Sequence, residues 1–245
     1  MTVRSLTALP VYNELRHLSQ VLDQTVRYSD EVLVVDDGST DGTAELLAHR
    51  DDIFLVSHEK NLGYGMALRS AFDFAVRAGY DVLVTIDCDG QHEPQRIPQF
   101  VEACRNADIV SGSRYLTAFA GDTAAPEARR RINHLITAEV NQRLGLHLTD
   151  AFCGFKAYRV PILRQFRLTE TGYAMPLELW VQAAAWELKI IEHPVPLIYL
   201  DESRSFGGAL DNADTRLEVY RQVLDRAMAA VQQCTRTVGC NSCGG

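Results

Sequence analysis

Two hydrophobic periods alternate along the first half of the chain. The runs Leu6 to Val11, Glu31 to Val35, Ile53 to Val56, Asp81 to Ile86 and Asp108 to Val110 are short, apolar and rich in β-branched residues, and predict strands. Leu15 to Tyr28 carries apolar residues at helical spacing. Gly63 to Ala78 predicts a helix with few breakers, and Pro94 to Cys104 a helix with proline near its first turn. Ser39-Thr40-Asp41 supplies hydroxyl and carboxylate groups suited to capping a helix that runs to about His49. Strands that are apolar throughout, alternating with helices of ~10–15 residues, predict a mostly parallel central sheet with helices on both faces. Ligands of such sheets bind at the carboxyl ends of the strands. Polar, glycine-containing clusters fall at those ends: Tyr12-Asn13-Glu14, Asp36 to Asp41, Asp87 to His92 and Gly112-Ser113-Arg114.

The second half is less regular. Tyr115 to Pro126, rich in Ala, Gly and Thr, reads as a mobile loop, and Arg129 to Leu144 as a helix. Asp150 to Arg159 predicts a turn and a short strand, and Pro176 to Leu188 a helix. Lys189 to Leu200 contains two prolines and suits an edge strand or two short strands. Asp201 to Leu210 is a polar loop, and Thr215 to Val231 a helix with a charged face.

The chain's 245 residues suffice for one substantial core. Its net charge of -8 argues against a nucleic-acid partner, which calls for a basic stripe. No stretch approaches ~18 consecutive apolar residues, so no membrane span is expected. Met1 to Leu9 shows no secretory signal, and a cytoplasmic protein is expected, with peripheral association at the membrane face left open. Cys88, Cys104 and Cys153 read as reduced core thiols. Cys234, Cys240 and Cys243 cluster at the end, where zinc-like spacing lacks a second pair and a frayed tail is expected.

Asp87-Cys88-Asp89 carries the sharpest chemistry. Side chains alternate along extended backbone, so both carboxylates face the same way, with Gln91 next at the same alternation. Two carboxylates at one strand end are costly without a cation. Mg²⁺ or Mn²⁺ would neutralise them and bridge to a diphosphate. Asp36-Asp37 exceeds what a helix cap needs, and one of the pair can accept hydrogen bonds from a ribose or base. There is no G-x-G-x-x-G after the first strand and no G-x-x-x-x-G-K-[ST], so dinucleotide and P-loop readings lose their main signals.

Taken in order, Pro10 to Glu14, Val34 to Thr43, Asn61-Leu62-Gly63, Asp87 to Pro94 and Gly112 to Arg114 resemble family 2 glycosyltransferases. The similarity spans roughly residues 5 to 205 and is greatest to dolichol-phosphate (polyprenyl-phosphate) mannose synthases and their glucosyl relatives. It implies an α/β GT-A fold, Rossmann-like, over 1–210, with a nucleotide-sugar and metal half (1–114) and an acceptor half (115–210). A C-terminal helix and flexible tail follow in 211–245. It also implies that Pro10, Tyr12, Glu14 and Asp37 line the base and ribose pocket, that Asp87, Asp89 and Gln91 bind Mg²⁺ or Mn²⁺, and that Arg114 and Arg204 act near sugar or phosphate. Asp150 and Gly154-Phe155 resemble the segment near the acceptor, and Glu192-Pro194-Val195 an E-x-P strand. The subgroup's R-x-x-G-x-S-K is Arg204 to Leu210 here, with Ala209 and Leu210 in place of Ser and Lys.

The activity implied is inverting, in-line transfer of a hexose from a nucleotide-diphosphate sugar (GDP-mannose or UDP-glucose type) to a lipid phosphate. A phosphate monoester, with a second pKa near ~6, needs no strong base. A hydroxyl acceptor, such as a small sugar, needs one, and Glu178 is the candidate. An idle nucleotide-sugar-binding module is the alternative from another class. Arg129-Arg130-Arg131 is either a contact for anionic head groups or a solvated helix face.

Overall fold

A computed structural model describes residues 3–200 and 212–240. The predicted alternation is realised as β1 (Ser5–Val11), α1 (Leu15–Tyr28), β2 (Val32–Asp36), α2 (Thr43–Leu47), β3 (Phe54–Ser57), α3 (Tyr64–Ala78), β4 (Val82–Thr85), α4 (Ile97–Ala103, after a 3-10 turn at Pro94–Arg96) and β5 (Ile109–Ser113). Then come α5 (Glu127–Leu144), β6 (Lys156–Arg159), α6 (Val160–Leu163), α7 (Met175–Ala185), β7 (Ile190–Pro194) and α8 (Ala213–Cys240). The strands form one seven-stranded sheet in the order β3-β2-β1-β4-β6-β5-β7, in which β6 runs antiparallel to β4 and β5. The remaining pairs are parallel.

Strand alternation divides the core between the two faces. Leu6, Ala8, Leu33 and Val35 join the cluster packed under α3, α5, α7 and α8. Leu9, Val11, Val32 and Val34 join the cluster packed under α1 and α4. Burial on both faces is why these strands read as unbroken apolar runs. Pro10 sits on a central strand, yet β4 pairs with β1 only from Ser5 to Ala8. Beyond that doubly paired stretch a missing N–H is tolerated. Cys88, Cys104 and Cys153 are free and buried, as expected.

Two local expectations are revised. Ser39, Asp41 and Thr43 serve the loop after β1: Ser39 Oγ accepts from Asn13 N (2.9 Å), Thr43 Oγ1 from Glu14 N (3.2 Å), and Asp41 Oδ2 from Leu15 N (3.2 Å). The run foreseen as a cap for its own helix thus secures the start of α1 as well, because the ends of β1 and β2 are neighbours. The helix it precedes begins only at Thr43, after Gly42 in a left-handed conformation. The segment Tyr115 to Pro126 is tied down. Asp122 accepts from Phe119 N (2.8 Å) and Leu197 N (2.8 Å), and Thr123 N donates to Leu197 O (2.7 Å). Arg96 lies over the Phe119 ring at 4.8 Å. At the other end, α8 continues through Cys234 to Cys240, beyond the predicted Val231, while Cys243 lies outside the described residues.

Candidate active site

The carboxyl ends of β1, β2 and β4 open into a cleft of ≈ 640 Å³. Pro10, Tyr12, Glu14, Asp37, Asp87, Asp89, Gln91 and Arg114 all line it, although they are spread over a hundred residues of chain. Arg204 lies outside the described residues, as do Ala209 and Leu210.

Beyond β4 the chain bends at residues 88–90, yet the side chains take the foreseen sides. Cys88 is 2% exposed in the core, while Asp87 and Asp89 on either side are half-buried on the cleft wall. Asp87 is held closely: Tyr64 donates its hydroxyl to Oδ1 at 3.0 Å, and His92 Nε2 stands 3.6 Å from Oδ2. Gly154 presses its backbone against the same carboxylate, so that a Cβ there would fall within bonding distance of Asp87. Gly154→Ala should therefore displace Asp87 while leaving the remote core intact. A shift of about 1 Å in a positioning group costs roughly 10²-fold in rate. Initial rates beside a thermal melt will show this as lost turnover with little change in Tm. Asp89 Oδ1 accepts from Gln91 N at 3.0 Å, which folds the segment so that Gln91 also faces the cleft.

Asp37, foreseen at the ribose, lines the cleft and also has a structural task. Its carboxylate, 3% exposed, accepts from Leu62 N (2.9 Å), Gly63 N (2.8 Å) and His58 Nδ1 (2.6 Å). His58 Nε2 in turn meets Ser70 Oγ at 2.9 Å. Asp37 thus anchors the Asn61-Leu62-Gly63 loop to the sheet edge. Gly38, at φ +75°, permits this, since a Cβ there would strike the backbone of Lys60.

Arg114 makes a two-point contact with Asp150, from Nε to Oδ2 (2.6 Å) and from Nη2 to Oδ1 (2.9 Å). Asp150 is fully buried and also accepts from Asn133 Nδ2 (2.8 Å) and Phe152 N (3.1 Å). Burial alone would push its carboxyl up; the Arg114 guanidinium outweighs that and holds it well below the usual carboxylate range. Glu192 shapes the turn that presents Asp150, accepting from Thr149 N (2.8 Å) and Asp150 N (3.1 Å).

Glu178 is placed elsewhere. It is 6% exposed on α7 and accepts from Thr169 N (2.7 Å), Thr169 Oγ1 (3.0 Å) and Glu170 N (2.8 Å). It is not among the residues lining the cleft. Those bonds brace the 169–171 loop, so the foreseen base role has no geometric support.

The profile of the glycosyl transferase family 2 matches residues 7–167. The chain belongs to glycosyl transferase family 2. This glycosyltransferase is 36% identical over 224 residues to the undecaprenyl-phosphate mannosyltransferase of Micrococcus luteus, covering 86% of this chain and 91% of the relative. It is 32% identical over 248 residues to the polyprenol monophosphomannose synthase of Mycolicibacterium smegmatis, covering 94% of this chain and 92% of the relative. Among solved structures it resembles glucosyl-3-phosphoglycerate synthase from Mycobacterium tuberculosis, in complex with Mn²⁺, uridine diphosphate and glucosyl-3-phosphoglycerate. The TM-score is 0.70 at 19% identity, covering 93% of this chain and 80% of the other. That likeness establishes the GT-A fold.

Several cleft residues of this glycosyltransferase escaped sequence reasoning. Tyr64 was legible in principle, since it follows Asn61-Leu62-Gly63 at the start of a helix next to the strand ends. Tyr173, Arg216 and Tyr220 also line the cleft. No local pattern marks them; Arg216 and Tyr220 lie on α8, past the matched region.

Proposed function

We propose that this glycosyltransferase moves a hexose from a nucleotide-diphosphate sugar to a polyprenyl phosphate in a single inverting displacement, assisted by Mg²⁺ or Mn²⁺. The observation that carries the choice of acceptor is where the carboxylates stand. Among the described residues lining the cleft they are Glu14, Asp37, Asp87 and Asp89, all beyond the carboxyl ends of β1, β2 and β4. Asp37 already accepts hydrogen bonds from its loop and from His58, and Glu178 lies away from the cleft. A phosphate acceptor supplies its own nucleophilic oxygen and requires no such base. The near full-length likeness to two polyprenyl-phosphate mannosyltransferases supports the same acceptor. No helix among the described residues is long and apolar enough to cross a membrane. The lipid is thus expected to reach the cleft from the membrane surface, where exposed Arg130 and Arg131 on α5 would favour anionic head groups.

The residues present fit a hard divalent cation. Asp87, Asp89 and Gln91 offer oxygen ligands on one wall, and Tyr64 and Gly154 fix the first of them. Among the described residues no group of three His, Cys, Asp or Glu is arranged to hold a metal by itself. Mg²⁺ suits such an incomplete set, since it is usually bound through one or two carboxylates with substrate phosphates and water. Once bound, the cation would supply positive charge where the leaving diphosphate becomes more negative. Around it, Pro10, Tyr12 and Glu14 would seat the base and ribose, and the Asp37-anchored loop would close that pocket. Arg114, oriented by Asp150, would stand beside the transferred sugar.

Product analysis tests this reading. Nucleotide sugars of the GDP-mannose and UDP-glucose type are offered with Mg²⁺ or Mn²⁺ and with either a prenyl phosphate or free sugars. A glycosylated prenyl phosphate is the expected product. Transfer to free sugars alone would reject the lipid acceptor.

A further inference from the structure

Among the described residues, the charged groups lining the cleft are segregated. Its described carboxylates come from residues 14 to 89, whereas Arg129 and Arg216 lie on helices of the later half. Arg216 is 4% exposed, which is unusual for a guanidinium. It sits in the first turn of α8, after Asn212, whose Oδ1 accepts from Asp214 N and Thr215 N at 3.0 Å each. A cation at the positive end of a helix adds to the local positive potential instead of balancing it. Arg129 reaches the same region from α5, with its guanidinium 5.5 Å from the Tyr199 ring centre. Both charges act on Tyr220, whose hydroxyl is pushed up to about 12 by burial against their opposing pull. The walls around them are apolar and aromatic: Tyr220 stacks on Phe152 at 4.9 Å, and Ile132 and Leu197 complete the lining. From there Tyr173 stacks on Tyr64 at 5.4 Å, and Tyr64 reaches Asp87, so the basic and acidic ends are joined by an aromatic wall.

We propose that Arg216 of the C-terminal helix, together with Arg129, binds the phosphate head of the acceptor at this basic end. Acceptor binding is thereby assigned partly to an element beyond the family-matched residues 7–167. A buried guanidinium lowers the free energy of an anion beside it far more than an exposed one does, because little water screens the pair. The aromatic lining suits the first apolar units of a chain attached to that phosphate. The inference rests on the reading of a phosphate acceptor given above.

Calorimetric titration of the full chain with farnesyl phosphate, farnesol and inorganic phosphate tests it without requiring turnover. Arg216→Ala should weaken farnesyl phosphate binding by roughly 10- to 100-fold, the range for a charge-assisted contact. Arg216→Lys should recover much of that loss by keeping the charge. Affinity for a nucleoside diphosphate with Mn²⁺ should be the same in all three proteins. Inorganic phosphate showing the same dependence on Arg216 would support the site and identify a free phosphate group as sufficient. Equal farnesyl phosphate binding by wild type and Arg216→Ala would overturn the proposal. So would farnesol binding as tightly as its phosphate, no binding of either phosphate probe to wild type, or a parallel loss of nucleotide affinity that Lys does not rescue. Arg216-dependent binding without any sugar transfer would leave this site standing and reject the transfer reaction.

Discussion

Asp89→Asn should abolish most sugar transfer while sparing the fold. The substitution keeps the shape and the bond from Gln91 N but removes one of two negative charges on the cleft wall. A bound divalent ion contributes several kcal/mol of charge stabilisation, and losing even half of it lowers the rate by roughly 10²–10³-fold. Two measurements together are decisive. Initial rates with labelled donor should fall by that factor, and Mn²⁺ titration followed by electron paramagnetic resonance should show weaker metal binding. A variant that keeps wild-type metal affinity and wild-type rate would remove Asp89 from the reaction.

Asp150→Ala should be the most destabilising single change in the site. It strands Arg114, whose side chain is only 20% exposed, and leaves Asn133 Nδ2 and Phe152 N without their acceptor. Removing one partner of a buried ion pair costs about 3–5 kcal/mol, a large share of the ~5–15 kcal/mol that holds a domain folded. Chemical denaturation should register the loss as a lower midpoint, and Asp150→Asn should lose less because it retains an acceptor oxygen. The pH dependence has a definite sign. The folded carboxyl titrates well below the ~3.9 of an unfolded aspartate, so its contribution is complete above that value. It is then lost as pH falls from there toward the folded value. The stability gap between wild type and Asp150→Asn should be constant near neutrality and should narrow below about pH 4.

Much of the fold was legible because strands buried on both faces have to be apolar throughout. β1, β2, β4 and β5 stood out on that ground, and α1 appeared with its observed bounds, Leu15–Tyr28. The direction of β6 was not legible: an antiparallel strand inserted between β4 and β5 has the same local composition as a parallel one. The placement of Asp87 and Asp89 followed from side-chain alternation alone, since Cys88 had to turn into the core if its neighbours faced out.

What the sequence determined by itself was the alternation of strand and helix, the position of polar clusters at strand ends, and membership of a family whose motifs are local. What tertiary structure decided was which polar groups come to line the cleft. Glu178 looked like a functional carboxylate, yet a loop it meets across the fold takes up its oxygens away from the cleft, while Asp37 both lines the cleft and holds the loop of residues 61–63. Arg216 fell in a segment read only as a helix with a charged face, yet packing of α8 against α5 and α7 places it in the lining of the cleft. The reason is physical. Hydrophobic period depends on neighbours within a few residues, whereas the hydrogen-bond partners of a buried polar group are set by whichever backbone the fold brings alongside.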